Sequence, residues 1–306
     1  MQYVPEKISA SLASHEFAFD AVRNALIAAS EDGTATFPVV QAHGSDPDNF
    51  YAIKSSAVSS LAGMKIGSYW PGNDAHGMPR HNSVILLFDQ SCGRIGAAVE
   101  AGRLNAYRTA AADAVAAEEL ARLDARTLAI FGAGHQAEFE VPALARIRDI
   151  NRVLIVTSNP KKGEAFASSL LNAGIQASCS EAEPACRAAD IIVTVTPSKA
   201  PLFEADWVQP GTHIASMGSD TTGKQELPPA LFDRARLFCD LPSQSRIIGE
   251  FQHASPSTEP AAIGDVLTGR LPGRVSDKDI TIFDSSGLSV QDLFMAQAVL
   301  DRVRQD

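Results

Sequence analysis

Thr127-Leu-Ala-Ile-Phe-Gly-Ala-Gly-His-Gln-Ala137 is the stretch on which the fold turns. Leu128 to Phe131 is an apolar run of strand length, and Gly132-x-Gly134-x-x-Ala137 then opens a helical segment. In a dinucleotide-binding turn the first small residue permits the tight bend and the second lets the backbone approach a pyrophosphate. The third lets helix and strand pack closely. The N–H groups of the helix N-terminus then face the phosphates. A lone G-x-G-x-x-A is matched by chance in many loops, so context carries the weight. Here a strand precedes it, a helix follows, and a second strand, Val153 to Val156, arrives at the expected distance. An ordinary tight turn between strand and helix is the alternative.

Outward from this turn, strand-like and helical runs alternate, the pattern of a parallel sheet covered on both faces. Strands are predicted at 127–131, 153–157, 190–196, 212–217, 236–239 and 280–283. The first 107 residues differ. Phe37-Pro-Val-Val, Tyr51-Ala-Ile-Lys, Met64-Lys-Ile-Gly-Ser-Tyr and Ser83-Val-Ile-Leu-Leu-Phe88 are short runs separated by Gly, Pro, Asn and Asp. They predict an antiparallel or mixed sheet. An Ala-rich helix over 105–123 bridges to the second domain, and an amphipathic segment over 288–304 is positioned to pack back onto the first. The fold class is therefore α/β: a Rossmann doubly wound domain over 123–287, and a smaller α/β domain over 1–122 and 288–306.

The chain has 306 residues, 45% hydrophobic and 20% charged, the composition of a soluble globular protein. No apolar run approaches the roughly 18 residues that span a bilayer. The N-terminus lacks the basic and apolar regions of a signal peptide, so a cytoplasmic location is expected. A net charge of −10 argues against nucleic acid or an anionic membrane as partner. Cys92, Cys179, Cys186 and Cys239 form no C-x-x-C pair, and no histidine lies at zinc spacing. The cysteines are expected to be reduced and largely buried, with no metal.

Three positions stand out chemically. Arg108 lies at the start of the Ala-rich helix, where a cation opposes the helix dipole by roughly 0.3–1 kcal/mol. An anionic ligand would turn that conflict into cooperation; a solvated or salt-bridged arginine is the alternative. Lys65 is flanked by apolar residues on a predicted strand. Pointing inward, it must find an anion or have its pKa lowered; pointing outward on an edge, it needs neither. Asp220 lies in Gly218-Ser-Asp-Thr-Thr-Gly-Lys-Gln-Glu226, at the carboxyl end of a parallel strand where ligands bind in open α/β sheets. It can meet an amine or exchange a proton, or simply form an Asx-turn. Together, two cations and an acidic loop around a nucleotide turn suggest an amino-acid-like substrate.

These residues resemble the ornithine cyclodeaminase/mu-crystallin family over roughly residues 37–292. Carrying the resemblance are Gly63-Met-Lys65, Pro71-Gly-Asn73, Arg108-Thr-Ala-Ala and Phe131-Gly-Ala-Gly-His-Gln136. Ala189-Asp-Ile-Ile-Val-Thr-Val-Thr196, Gly211-Thr-His-Ile-Ala-Ser-Met-Gly-Ser-Asp220 and Thr281-Ile-Phe-Asp-Ser-Ser-Gly287 follow in order. The resemblance implies a homodimer whose first domain makes the dimer and holds substrate, and whose Rossmann domain binds NAD(H) or NADP(H). It implies hydride transfer at an amino-acid α-carbon. Lys65 and Arg108 then correspond to carboxylate ligands, and Asp220 to the acid/base residue near the substrate nitrogen. The turn Gly132, Ala133, Gly134, His135 and Gln136 corresponds to the cofactor cradle. Thr157, Ser158 and Asn159 follow the second strand, and Thr196, Met217, Lys224, Ser285 and Gly287 line the cofactor from the other strand ends.

The chain departs from the family at three places. Many members carry an arginine shortly after the first strand's proline, whereas Phe37-Pro-Val-Val-Gln-Ala-His-Gly44 has none. Arg80 stands where small hydroxylated residues are frequent, and His81 follows it. With Lys54 they would suit a substrate bearing a second carboxylate, or they pair with acids or lie at the dimer surface. Thr157-Ser-Asn-Pro-Lys-Lys162 lacks the acid that usually binds the ribose hydroxyls of NAD, so a 2′-phosphate is not repelled and NADPH is slightly favoured.

The leading expectation is an NAD(P)H-dependent reductase of an α-imino acid, with iminosuccinate, giving aspartate, as the first substrate to test. Ornithine cyclodeamination to proline and ammonia is the alternative, suggested by Leu241-Pro-Ser-Gln-Ser-Arg-Ile-Ile-Gly-Glu250. A crystallin-like binding protein without catalysis is the third.

Overall fold

The computed structural model describes residues 1–305. The chain divides into two compact units, Met1–Arg108 with Leu288–Asp306, and Thr109–Gly287. The first division falls inside the Ala-rich helix and not after it.

The first unit begins with β1 (Gln2–Val4), α1 (Glu6–Leu12) and α2 (His15–Ala29). Strands β2 (Ala35–Thr36), β3 (Val40–His43), β4 (Phe50–Ala57), β5 (Ala62–Tyr69), β6 (His81–Asp89) and β7 (Arg94–Glu100) follow. They form one sheet in the order β1-β7-β6-β5-β4-β2, with β3 also on β4. β1 runs parallel to β7 and the other pairs are antiparallel, so the sheet is mixed. Helix α3 (Gly102–Leu120) comes next. The Glu6 carboxylate accepts the Gly102 and Arg103 amide N–H groups, both at 2.8 Å. This cap, supplied from far away in sequence, starts α3 earlier than the predicted residue 105. Arg108 therefore lies in the second turn of α3, and the dipole conflict expected at a helix start does not arise.

The second unit holds β8 (Thr127–Phe131), α4 (Ala137–Ile147), β9 (Arg152–Val156), α5 (Pro160–Asn172), β10 (Gln176–Cys179), α6 (Ala182–Ala188), β11 (Ile191–Thr194) and β12 (His213–Ser216). After these come β13 (Ala235–Cys239), α7 (Pro242–Ile248), β14 (Ala261–Ala262), α8 (Ile263–Leu267) and β15 (Ile280–Asp284). All the strands pair in parallel, in the order β10-β9-β8-β11-β12-β15-β13-β14. The central strands are buried on both faces, which is why they read as continuous apolar runs. Strand order reverses beside β8, between β9 and β11. This is the switch point where ligands sit outside strand carboxyl ends, so the doubly wound Rossmann expectation is met.

Helix α9 (Ser289–Val303) returns to the first unit and packs on α2 and on β4, β5 and β6. Gly63 lets it approach, because a Cβ there would collide with the Leu86 carbonyl and meet Leu293 Cδ2 at 2.9 Å. Only Cys186 and Cys239 are buried; Cys92 and Cys179 are exposed, contrary to expectation, and all four are free. Among the described residues no helix is long and apolar enough to cross a membrane.

Candidate functional site

In the second unit, the turn after β8 meets the demands of a pyrophosphate cradle. Gly132 has φ 119°, and a Cβ there would meet Val195 O at 3.0 Å. Only glycine adopts this backbone without strain. No atom lies within 4 Å of a Cβ built on Gly134, so the backbone there is open to a ligand. Ala137 is fully buried at the start of α4, and no side chain caps that helix. Gln136 donates from Nε2 to Glu140 Oε1 at 2.7 Å, and His135 packs edge-on to Phe139. After β9, Asn159 Oδ1 accepts the Lys162 amide at 3.1 Å and caps α5, while the Asn159 amide donates to Thr157 Oγ1 at 3.2 Å. Ser158 is exposed. These residues fit a dinucleotide.

The loop after β12 is fastened from beneath. Glu226, fully buried, accepts from Thr196 N (2.7 Å), Thr196 Oγ1 (2.8 Å), Thr194 Oγ1 (2.8 Å), Ser216 Oγ (3.2 Å) and Gly218 N (2.9 Å). It thereby ties the end of β11 to the end of β12, next to Met217. Glu250, also fully buried, accepts the Glu226 and Leu227 amides, the latter at 2.7 Å. Burial pushes the Glu250 carboxyl up to about 7, against the lowering effect of those amides. A Cβ on Gly218 would collide with Thr196 O, so the loop must begin on glycine. Above this base, Asp220 is exposed and pairs with Lys224 Nζ at 2.6 Å; Lys224 also donates to Gly218 O at 3.1 Å. At the end of β15, Gly287 (φ 76°) donates to Asp240 Oδ2 at 2.7 Å, and Ser285 N donates to Ser216 O.

The first unit gathers the cations. Lys65 and Arg108 are both buried, 8% and 7% exposed, which settles the inward orientation of the lysine. Lys65 Nζ lies 3.1 Å from Asp292 Oδ1 and 3.0 Å from its Oδ2, and donates to Asn105 Oδ1 at 3.0 Å. The same Asn105 oxygen accepts from Arg108 Nη2 at 2.7 Å. Arg108 Nη1 donates to Gln291 Oε1 at 3.3 Å, and Arg108 Nε lies 3.5 Å from Asp292 Oδ1. Two buried donors, Arg108 Nε and Gln291 Nε2, have no hydrogen-bond acceptor among the described residues. Burial lowers the Lys65 amine to about 7; Asp292 opposes that shift, and Arg108 and Lys54 add to it.

Lys54 stands directly opposite Lys65 in the β4–β5 register, so both side chains leave the same face of the sheet. Arg80 and His81 do not join them. Arg80 is exposed and pairs with Asp74 through Nη2 and Oδ2. His81 packs on Tyr69, its partner across β5–β6. Tyr69 lies four positions along β5 from Lys65, about 13 Å at the rise of a strand. Sequence reasoning missed Asn105, Gln291, Asp292, Glu226 and Glu250. Each is an ordinary polar residue in a helix or loop, and only tertiary contact reveals its role. Among the described residues no cluster of His, Cys, Asp and Glu could hold a metal ion.

Comparison with known proteins agrees with this geometry. The ornithine cyclodeaminase/mu-crystallin family model matches residues 6–306. The chain is 39% identical to the iminosuccinate reductase of Paracoccus denitrificans (strain Pd 1222), over 98% of this chain and 96% of that protein. The crystal structure of the Paracoccus denitrificans iminosuccinate reductase with NAD+ superimposes with a TM-score of 0.93 at 38% identity, covering 100% of this chain and 97% of that one. An archaeal alanine dehydrogenase dimer with bound NAD superimposes with a TM-score of 0.90 at 31% identity, covering 100% and 96%. The chain belongs to the ornithine cyclodeaminase/mu-crystallin family.

Proposed function

We propose that this protein is an NAD(P)H-dependent reductase that converts a dicarboxylic α-imino acid, iminosuccinate foremost, to the amino acid. The observation that carries the reading is the buried pair Lys65 and Arg108 set around one carboxylate, Asp292, with Lys54 on the same face of the sheet as Lys65. Cations gathered in this way suit a substrate that carries carboxylates. The likeness to iminosuccinate reductase supports the same class.

In this reading the first unit holds substrate and the second holds cofactor. Lys65 and Arg108 bind the α-carboxylate and fix the imine carbon for attack, an orientation effect. Lys54 takes the second carboxylate. When bound, the reduced nicotinamide supplies the hydride to the imine carbon. Asp220, kept in place by Lys224 and by the Glu226 base beneath its loop, manages the proton on the nitrogen, directly or by relaying one from water. One hydride and one proton added across the C=N bond yield the amine, with NAD(P)+ as the other product. The absence of an acid after β9, with Lys161 and Lys162 at the start of α5, extends use from NADH to NADPH, which is slightly favoured. Two copies assemble through the first unit, where Phe37, Val40 and Phe50 expose about half their surface.

Ornithine cyclodeamination is disfavoured because Lys54, beside Lys65, would repel the ammonium of an ornithine side chain. The test is initial-rate oxidation of NADH and NADPH with ammonium plus oxaloacetate, pyruvate or glyoxylate. Fast oxidation with oxaloacetate alone is expected. No oxidation with oxaloacetate, together with release of ammonia from ornithine, would replace this reading.

A further inference from the structure

We infer that Gln291, in the first turn of α9, is a carboxylate-binding residue whose side-chain Nε2 completes the hold of Lys65 and Arg108 on the substrate. The inference rests on the function proposed above and names a ligand that the sequence motifs leave out.

Gln291 is fully buried, and its amide orientation is fixed by its neighbour. Arg108 Nη1 is a donor, so the amide atom facing it at 3.3 Å must be the acceptor Oε1. Rotating the amide would set N–H against N–H and strand the oxygen as well. The NH2 group is thereby turned away from the guanidinium, and it has no acceptor among the described residues. Arg108 Nε is in the same condition. Each such buried donor costs about 1–3 kcal/mol while it stays unpaired. Two of them lie on hydrogen-bonded neighbours, and Arg108 shares Asn105 Oδ1 with the Lys65 ammonium.

Helix α9 strengthens the case. It is 15 residues long, and its N-cap is Leu288, which makes no side-chain cap hydrogen bond. The positive end of its dipole is therefore uncapped one turn from Gln291. Asp292, the next residue, does not fill this role. It neutralises Lys65 at 3.0 Å but lies 3.5 Å from Arg108 Nε without making a hydrogen bond to it.

Calorimetric titration of succinate, an unreactive four-carbon diacid, into the full chain with NAD+ tests the inference. Gln291→Glu keeps the shape, removes the donor and sets a negative charge beside Arg108. Gln291→Leu removes the donor without adding charge. Succinate affinity should fall about 30-fold or more in the first and about tenfold in the second, with the KM for L-aspartate rising in parallel and NADH affinity unchanged. The leucine variant also removes the Oε1 that accepts from Arg108 Nη1, so its melting temperature should fall; a purely structural glutamine would show that fall with succinate affinity unchanged. Succinate binding that is indifferent to residue 291 overturns the inference and leaves the proposed function intact. If the unaltered protein binds neither succinate nor L-aspartate, the proposed function falls and takes the inference with it.

Discussion

Glu226 in the second unit and Arg108 in the first are both buried ionic side chains, yet their hydrogen bonding differs. Glu226 accepts from Thr194, Thr196, Ser216 and Gly218, through side chains and backbone alike. Every donor aimed at it comes from the protein. Arg108 shares its donors among Asn105 and Gln291 and leaves Nε without a hydrogen bond, 3.5 Å from Asp292, while Gln291 Nε2 has no acceptor among the described residues. A saturated polar network stiffens a scaffold; a buried donor left over calls for an explanation, and a bound ligand's oxygen is one. On this view the second unit's acids brace the Asp220 loop, and the first unit's cations wait for substrate oxygens.

The sharpest way to break the contrast is to truncate one member of each network. Arg108→Ala should lower kcat/KM for L-aspartate by about a thousandfold, roughly 4 kcal/mol, because it strips a desolvated charge from the carboxylate site. Steady-state kinetics beside a melting curve check this. A large loss of stability with little change in kcat/KM would assign Arg108 to scaffolding. Glu226→Gln should do the reverse. Turning one oxygen into NH2 sets donor against donor, so urea unfolding should report a loss of about 2–3 kcal/mol, with activity per folded molecule reduced less than tenfold.

A smaller effect concerns pH. The Lys65 amine sits at about 7, below its ordinary 10.5, chiefly through burial. It therefore loses its charge as pH rises past about 7. Binding of an anionic substrate should weaken by up to about tenfold per pH unit above that point, visible in kcat/KM between roughly pH 6 and 8.5. Lys65→Arg keeps the charge and should flatten this decline; a profile unchanged by the substitution would remove Lys65 from substrate binding. The linkage to folding has the matching sign. Between about 7 and 10.5 the unfolded chain holds a proton that the folded lysine has released, so this residue makes stability rise with pH across that window. The smallest expected effect separates the cofactors: kcat/KM with NADPH should stay within about tenfold of NADH, because nothing acidic after β9 repels a 2′-phosphate. A preference for NADH of a hundredfold or more would contradict this.

Legibility in the sequence followed burial. The parallel strands at the centre of the second unit declare themselves because both faces are buried, leaving uninterrupted apolar runs such as Leu128 to Phe131. β10 is largely exposed and polar, and β7 opens on Arg94, Ile95 and Gly96, so neither carries a strand signal. The Ala-rich helix was visible but its start was not, because the cap comes from Glu6. Among site residues, Lys65 and Arg108 stand out as charges in apolar surroundings. Asn105, Gln291 and Asp292 do not, since polar residues in amphipathic helices usually face water. What makes them informative is their contact with one lysine and one arginine, which no local pattern encodes.

A crystal structure with NAD+ and L-aspartate would test the central claim most directly. The account predicts one ligand carboxylate within hydrogen-bond distance of Arg108 Nε and Gln291 Nε2, and the other at Lys54. Both carboxylates bound elsewhere, with Arg108 Nε and Gln291 Nε2 still unpaired, would contradict it.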